Sequence, residues 1–304
     1  MHDTVGVIGL GNMGGAIAAS LTKNGFAVAG FDIDSEALER AADNGVECPK
    51  SIIGVSETAG IIILSLANPS ALYDVTAELA STGQTDLIVV ETGTFSLTDK
   101  EGVQDRLMEA GIAALDCPVS GTGQQARTGD LLVFTSGDED TVRRCQPVFD
   151  GFSRDQKYCG AFGNGSRMKY VANHLIAIHN VATAEAMALG LKSGLDPNLV
   201  FDVISNSAAT NRMFEVRGKL MAESNWGDIG ATNKLFQKDL DVISEHLVNI
   251  ACPLPLFDVA VKPHRNAMQR GLAERDPAAI GLLIEEAVGL DRDNWPPDAI
   301  KLKS

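Results

Sequence analysis

The sequence predicts a chain in two parts: an α/β domain built on a doubly wound, mainly parallel sheet, followed by an all-α C-terminal domain. Three observations predict this. Short apolar runs alternate with helical periods through the first half, as βαβ units require. The strand signal stops after Gly163, and from Ser166 onward apolar residues recur at helical spacing. At 304 residues the chain also exceeds the size at which single cores split. The joint falls in the glycine-rich stretch Gly160 to Gly165, which gives domains 1–163 and 164–304.

The elements follow in order. Val5 to Gly9 reads as a strand, Met13 to Asn24 as a helix, Ala27 to Phe31 as a strand and Ser35 to Asn44 as a helix. Strands follow at Ile61 to Leu66 and Leu87 to Val90, then a helix over Thr98 to Ala110, then strands at Ala113 to Leu115 and Leu131 to Ser136. Right-handed crossovers wind the helices onto both faces of one sheet. Helices are expected over 166–193, 197–205, 232–249 and 256–271, with an irregular tail from Asp291 that carries Pro296 and Pro297. The apolar stretch Met168 to Leu191 contains Lys169, Asn173, His174, His179, Asn180 and Glu185, too polar for a membrane span. A helix apolar on most sides reads instead as buried between domains or subunits, so a homodimer or homotetramer is expected.

Composition narrows the function. Apolar residues make up 45% and charged residues 21%, ordinary for a globular enzyme. The net charge of −15 argues against nucleic acid as a partner, and it requires any carboxylate-binding site to supply its own local cations. Cys48, Cys117, Cys145, Cys159 and Cys252 show no zinc or CxxC spacing and read as reduced core thiols. With no basic n-region or apolar h-region in MHDTVGVIG, a cytoplasmic protein without membrane attachment is expected.

The stretch VGVIGLGNMGGAIAASLTKNG places Gly9, Gly11 and Gly14 in G-x-G-x-x-G spacing, directly after a strand and opening a helix. That is the context of a dinucleotide-binding Rossmann domain: Gly9 permits the tight turn, Gly11 lets a pyrophosphate approach the backbone, and Gly14 lets helix and strand pack closely. Asn12 and Met13 complete the loop, whose freed N–H groups meet phosphate charge at the helix start. Asp32 ends the second strand, 18 residues past Gly14, where an acid binds the adenosine ribose hydroxyls. A carboxylate there repels a 2′-phosphate, and the next residue is Ile33 rather than Arg, so NAD is favoured over NADP. A bland alternative makes the glycines a helix cap and Asp32 a solvated strand end; strand, helix and acid in one register weigh against it.

Three further blocks stand out: DCPVSGTGQQARTGDL at 116–131, GNGSRMKYVANHL at 163–175 and KDLDV at 238–242. Together with GLGNMG, and in this order from Val5 to about Asp258, they make the chain resemble the β-hydroxyacid dehydrogenase family, which includes 3-hydroxyisobutyrate, tartronate semialdehyde and 6-phosphogluconate dehydrogenases. The resemblance implies an NAD-dependent oxidoreductase acting on a small 3-hydroxy acid or its semialdehyde or keto form. It implies Lys169 as catalytic lysine with Asn173 beside it, and Ser120 and Gly121, followed by Thr122, as the substrate-carboxylate loop. It also implies Lys238 near substrate and cofactor, with Asp239 following in the same motif, Thr94 on the nicotinamide side, and Leu66 in a segment bordering the cofactor.

The residues agree with the resemblance on their own chemistry. Lys169 and Asn173 are four apart on a predicted helix and share a face. An apolar-flanked lysine near a helix start is an expensive structural choice, because burial disfavours the ammonium and lowers its pKa toward working pH. Neutral Lys169 would take the hydroxyl proton on oxidation, and its ammonium would protonate the developing alkoxide on reduction. The bland alternatives are a snorkelling lysine, a plain turn at Ser120 and a solvated basic edge at Lys234 and Lys238. Arg212, with Asn211 in the polar loop 205–213, is a further candidate as a bidentate substrate clamp. No metal is expected, since His174 and His179 lack partners at ligand spacing. Departures fall in the substrate loop and beside Asn173. Thr122 stands where many members have a second glycine, Ala172 replaces an Asn, and Gln124, Gln125 and Arg127 add polarity, which favours a polyhydroxylated acid over a methyl-bearing one. Rival readings are an imine reductase-like NAD(P)H enzyme, against which Lys169 argues, and a non-catalytic NAD-binding oligomeric scaffold, which has no reason to keep Lys169, Asn173, Ser120 and Lys238 together.

Overall fold

A computed structural model describes residues 4–227 and 231–292. The expected irregular tail lies, from residue 293 on, outside the described residues. The chain forms two compact units, 1–170 and 171–304.

The first unit opens with β1 (Thr4–Ile8), α1 (Asn12–Lys23), β2 (Ala27–Phe31) and α2 (Ser35–Asp43). It continues with α3 (Ile52–Thr58), β3 (Ala59–Leu64), α4 (Pro69–Ala80), β4 (Ile88–Glu91), α5 (Leu97–Glu109) and β5 (Ala113–Asp116). The five strands pair in parallel in the order β2-β1-β3-β4-β5. The chain leaves β1 toward β2 on one side while β3 lies on its other side, so the order reverses at β1, and a crevice opens there at the carboxyl ends of the strands.

Alternation along each strand divides the core between the two faces. Val5, Val7, Ile63 and Val90 pack with Ile17, Leu21, Leu115, Phe149 and Phe152 on one face. Ile62, Leu64 and Val89 pack with Leu72, Leu79, Phe95 and Leu107 on the other. Gly6 lets α3 press against β1, since a Cβ there would lie 2.8 Å from Val55 Cγ1.

The expected single sheet is divided. After β5 come β6 (Val119–Ser120), α6 (Gly123–Arg127), β7 (Leu131–Thr135), α7 (Glu139–Asp150) and β8 (Ser153–Tyr158). These strands form a separate sheet in the order β6-β7-β8, with β6 antiparallel to β7. The sequence places Leu131 to Ser136 in the main sheet; instead the chain turns at Pro118, whose carbonyl accepts from Phe134 N–H at 3.0 Å, and β6 captures β7. One antiparallel bridge, Asp116 to Ser136, joins the two sheets.

In the helical part, α8 (Asn164–Lys192) is followed by α9 (Pro197–Ser205), a π-helix at Phe214–Gly218, α10 (Lys219–Ala222), α11 (Asn233–Asn249), α12 (Pro255–Gln269) and α13 (Ile280–Ala287). Among the described residues no helix is long and apolar enough to cross a membrane. The π-helix buries Arg217, which donates from Nε to Asp276 at 3.2 Å and from Nη1 to Asn180 at 2.7 Å. Of the five free cysteines, Cys117 and Cys145 are buried and the other three are partly exposed, so the expectation of core thiols holds for two.

His264 is fully buried in the second unit, its ring 5.0 Å from that of Phe236. Burial, reinforced by the Arg217 guanidinium, pushes its pKa down to about 3. The unfolded chain takes up this proton near pH 6.5 and the folded chain only near 3, so the associated stability is complete above about pH 6.5 and declines as pH falls. Denaturant unfolding between pH 6.5 and 5 should therefore show a loss approaching about 1.4 kcal/mol per pH unit from this group. His264→Phe should flatten that slope, and an unchanged slope would contradict the assignment.

Candidate active site

The glycine turn sits at the carboxyl end of β1, in the crevice. Gly9 has φ +90°, and a Cβ there would lie 2.3 Å from the Ser65 carbonyl oxygen. At Gly14 a Cβ would lie 1.9 Å from the Gly9 carbonyl oxygen. These two glycines are thus required by the protein itself. Gly11 is different: a Cβ there meets nothing within 4 Å, and as N-cap of α1 it offers no side-chain hydrogen bond. The uncapped start of a 12-residue helix, exposed and with open space before it, fits a phosphate group. Asn12 is exposed and Met13 half-buried on the first turn; Leu66 packs its side chain close to Gly9.

Asp32 follows β2 and is half-buried. One carboxylate oxygen accepts from Leu10 N–H at 2.6 Å and the other from Asp34 N–H at 2.9 Å. The acid therefore ties the glycine turn to the end of β2, a structural task that its spacing alone does not reveal. Ile33 beside it is almost completely exposed and presents no cation.

The substrate loop of the resemblance lies against this turn. Ser120 ends β6 half-buried, and Gly121 has φ +138°. A Cβ at Gly123 would lie 2.5 Å from Asn12 Oδ1, so the loop touches the start of α1. Thr122 caps α6: its hydroxyl accepts from Gln125 N–H at 3.4 Å, while Gln125 Oε1 accepts from Thr122 N–H at 3.0 Å. Gln125 Nε2 donates to Asp130 at 3.0 Å. Gln125 is thus committed to the fold, whereas the side chains of Gln124 and Arg127 are exposed.

Lys169 lies half-buried on the first turns of α8, between Ser166 and Tyr170, which are both buried. Tyr170 donates its hydroxyl to the Phe95 carbonyl at 2.5 Å, next to the buried Thr94. Ser166 donates to Asp116 from its N–H and its hydroxyl, each at 2.8 Å. Asp116 in turn meets Lys100 Nζ at 2.6 Å, and Lys100 also meets Glu91 at 2.5 Å and the Gly93 carbonyl at 2.8 Å. Burial alone pulls the Lys100 ammonium down, but the two carboxylates outweigh it and hold the group above the ordinary lysine value. Burial raises Glu91 above the usual carboxylate range despite Lys100. Sequence reasoning missed this cluster. Its signal was present: the apolar strands IVVE and AALD each end on an acid at the carboxyl edge of the sheet.

In the second unit Asn173 is buried and donates from Nδ2 to Asp239 Oδ2 at 2.8 Å. Asp239 Oδ1 pairs with Lys238 at 3.2 Å. Two residues of the expected set, Asn173 on α8 and Lys238 on α11, are thus joined through Asp239. Arg212 is exposed and pairs with Glu215 at 3.1 Å. Among the described residues no group of three His, Cys, Asp or Glu side chains is placed to hold a metal ion.

Two predictions follow from the nucleotide turn. Gly11→Ala should change unfolding free energy by less than about 1 kcal/mol yet weaken NAD binding measured calorimetrically, whereas Gly14→Ala should destabilise the fold by more than about 2 kcal/mol. Equal effects of the two on stability would contradict the distinction. Asp32→Ala should lower the NAD-to-NADP ratio of kcat/KM by about 10-fold or more; an unchanged ratio would remove Asp32 from ribose recognition.

Comparison with known proteins agrees with this geometry. Residues 4–163 match the NAD-binding domain of 6-phosphogluconate dehydrogenase, and residues 163–284 match the NAD-binding region of NADP-dependent 3-hydroxyisobutyrate dehydrogenase. The chain is 32% identical over 284 residues to L-threonate dehydrogenase of Cupriavidus necator, which covers 92% of this chain and 95% of that enzyme. It is 28% identical over 295 residues to NAD-dependent L-serine dehydrogenase of Pseudomonas aeruginosa, across 94% of this chain and 99% of that one. The structure of Mycobacterium tuberculosis 3-hydroxyisobutyrate dehydrogenase with L-serine superposes with a TM-score of 0.85 at 27% identity, covering 93% of this chain and 99% of that chain. The chain belongs to the β-hydroxyacid dehydrogenase family and is an NAD-dependent hydroxyacid dehydrogenase.

Proposed function

We propose that the chain interconverts a small polyhydroxylated 3-hydroxy acid and its carbonyl form, with Lys169 as general acid and base. The observation that carries this reading is the placement of Lys169, to which the sequence resemblance assigns the catalytic role: a half-buried amine on the first turns of α8, flanked by two pinned residues. Bound NAD supplies the hydride acceptor. In oxidation the Lys169 amine takes the proton of the substrate hydroxyl; in reduction its ammonium returns that proton to the developing alkoxide.

Asn173 holds its Nδ2 on Asp239, which leaves its amide oxygen as the acceptor end for an ammonium or hydroxyl on the same helix face. Lys238 supplies positive charge near substrate and cofactor, and Asp239 fixes it. Ser120 and Gly121 receive the substrate carboxylate with hydroxyl and backbone N–H donors, and Thr122 adds its hydroxyl, since its own N–H is held by Gln125 Oε1. Thr94 lies on the nicotinamide side, and Leu66 is in the segment that borders the cofactor. Arg212, already paired with Glu215, stands outside the proposal. A polyhydroxylated substrate is supported by exposed Gln124 and Arg127 beside the loop and by the relative named for L-threonate. Exposed apolar side chains along α8, at Val171, Leu175 and Leu189, support assembly as a homodimer or homotetramer.

Steady-state rates with NAD across glycerate, threonate, 3-hydroxyisobutyrate and 3-hydroxypropionate test the substrate class. The hydroxylated acids should show the higher kcat/KM; preference for 3-hydroxyisobutyrate would overturn the polyhydroxy reading, and tight NAD binding without turnover of any would overturn the enzyme reading. Lys169→Ala should lower kcat by at least about 100-fold with NAD affinity nearly unchanged. Near-normal turnover would refute the role of Lys169.

A further inference from the structure

We propose that the buried cluster Glu91–Lys100–Asp116–Ser166 is a positioning device for the reaction: it locks the first turns of α8 so that Lys169 is presented in one orientation. This rests on the reading of Lys169 as the acid and base. None of these four residues touches a reacting atom; each acts through the helix that carries the amine.

The case begins with satisfaction of the ammonium. Lys100 is 1% exposed, and an ammonium has three protons. It donates hydrogen bonds to the acceptors Asp116 and the Gly93 carbonyl, and Glu91 Oε2 is its ion-pair partner at 2.5 Å. These acceptors belong to β4, β5 and the loop leading to Thr94, so one side chain fixes three segments at the carboxyl edge of the sheet. Asp116 extends the lock to α8. Its carboxylate takes both donors of Ser166, and the Ser136 hydroxyl accepts from Gly165 N–H at 2.9 Å while donating to the Asp116 carbonyl at 2.8 Å. The first N–H groups of a helix have no partner within it. Here two of them are met by buried acceptors, with a carboxylate at the positive end of a 29-residue helix.

The helix start has no room to roll. A Cβ at Gly165 would lie 2.5 Å from the Phe134 carbonyl oxygen and 2.6 Å from that of Asp116. On the other side of Lys169, Tyr170 is tied to the Phe95 carbonyl. The amine therefore stands between two anchored residues, and Lys100 reaches both anchors: one through Asp116, the other through the Gly93 to Phe95 loop. Stability alone does not account for such a cluster, because well-packed apolar side chains serve a core as well as a buried ion network does. Fixed orientation of a reacting group does account for it.

A double-mutant cycle on the full enzyme with NAD and its best hydroxy acid tests the proposal. Ser166→Ala removes the hydroxyl and keeps the backbone donor. It should lower kcat by about 10-fold with the Kd for NAD within about 3-fold of wild type. In a Lys169→Ala background the same change should have no further effect, because nothing remains to be positioned. Tyr170→Phe, which removes the bond to Phe95, should behave alike and serves if Ser166→Ala does not fold. Losses that multiply in the Lys169→Ala background, or kcat of the single variants within about 2-fold of wild type, would overturn the positioning role while leaving Lys169 in place. A fully active Lys169→Ala enzyme would overturn the underlying reading and this proposal with it.

Discussion

The ammonium of Lys100, sealed beneath the carboxyl edge of the sheet and shared by Glu91 and Asp116, is the interaction on which the site's geometry depends. Two carboxylates brought together without it would repel each other in a medium that screens poorly. With it, the ends of β4 and β5 and the loop to Thr94 have one arrangement. The start of α8 inherits that arrangement through Ser166. Hydrogen bonds within a buried polar cluster specify geometry, and those of Lys100, Asp116 and Ser166 join four segments.

Two helix starts in the first unit illustrate how the same physics serves two ends. At α8 the protein meets the unpaired N–H groups with its own acceptors, Asp116 and the Ser136 hydroxyl, and the result is a fixed backbone. At α1 the N-cap is Gly11, which offers no side-chain acceptor and leaves open space. That positive end is available to a phosphate. In a chain of net charge −15 such local sources of positive potential are needed to draw an anionic cofactor and an acidic substrate against the overall field.

The sequence made the scaffold legible wherever periodicity and glycine chemistry act locally. β2 spans Ala27–Phe31 as expected, and α1, α2, α5 and β5 agree within a residue or two at their ends. Elements whose apolar signal is weak were not legible. β8, SRDQKY, is a polar edge strand with one buried side chain, and α7 carries Pro147 in its interior. The split of the sheet at Pro118 depends on which strand captures β7, a long-range pairing that spacing does not encode. Within the site, Gly9 and Gly14 were readable because steric demand acts on the residue itself. The second task of Asp32 and the capping role of Gln125 were not, since both depend on partners brought close by folding. Lys100 was hidden for the same reason: in sequence it is one lysine in a charged helix, and only the fold brings Glu91 and Asp116 to it.

The account turns on one titrating amine, and the pH dependence of kcat/KM for hydroxy-acid oxidation reports it. For the wild-type enzyme, log kcat/KM should rise with unit slope to a plateau as Lys169 loses its proton, and that limb should vanish in Lys169→Met. If the same limb persists in Lys169→Met, the proton is taken by another group and the central claim is wrong.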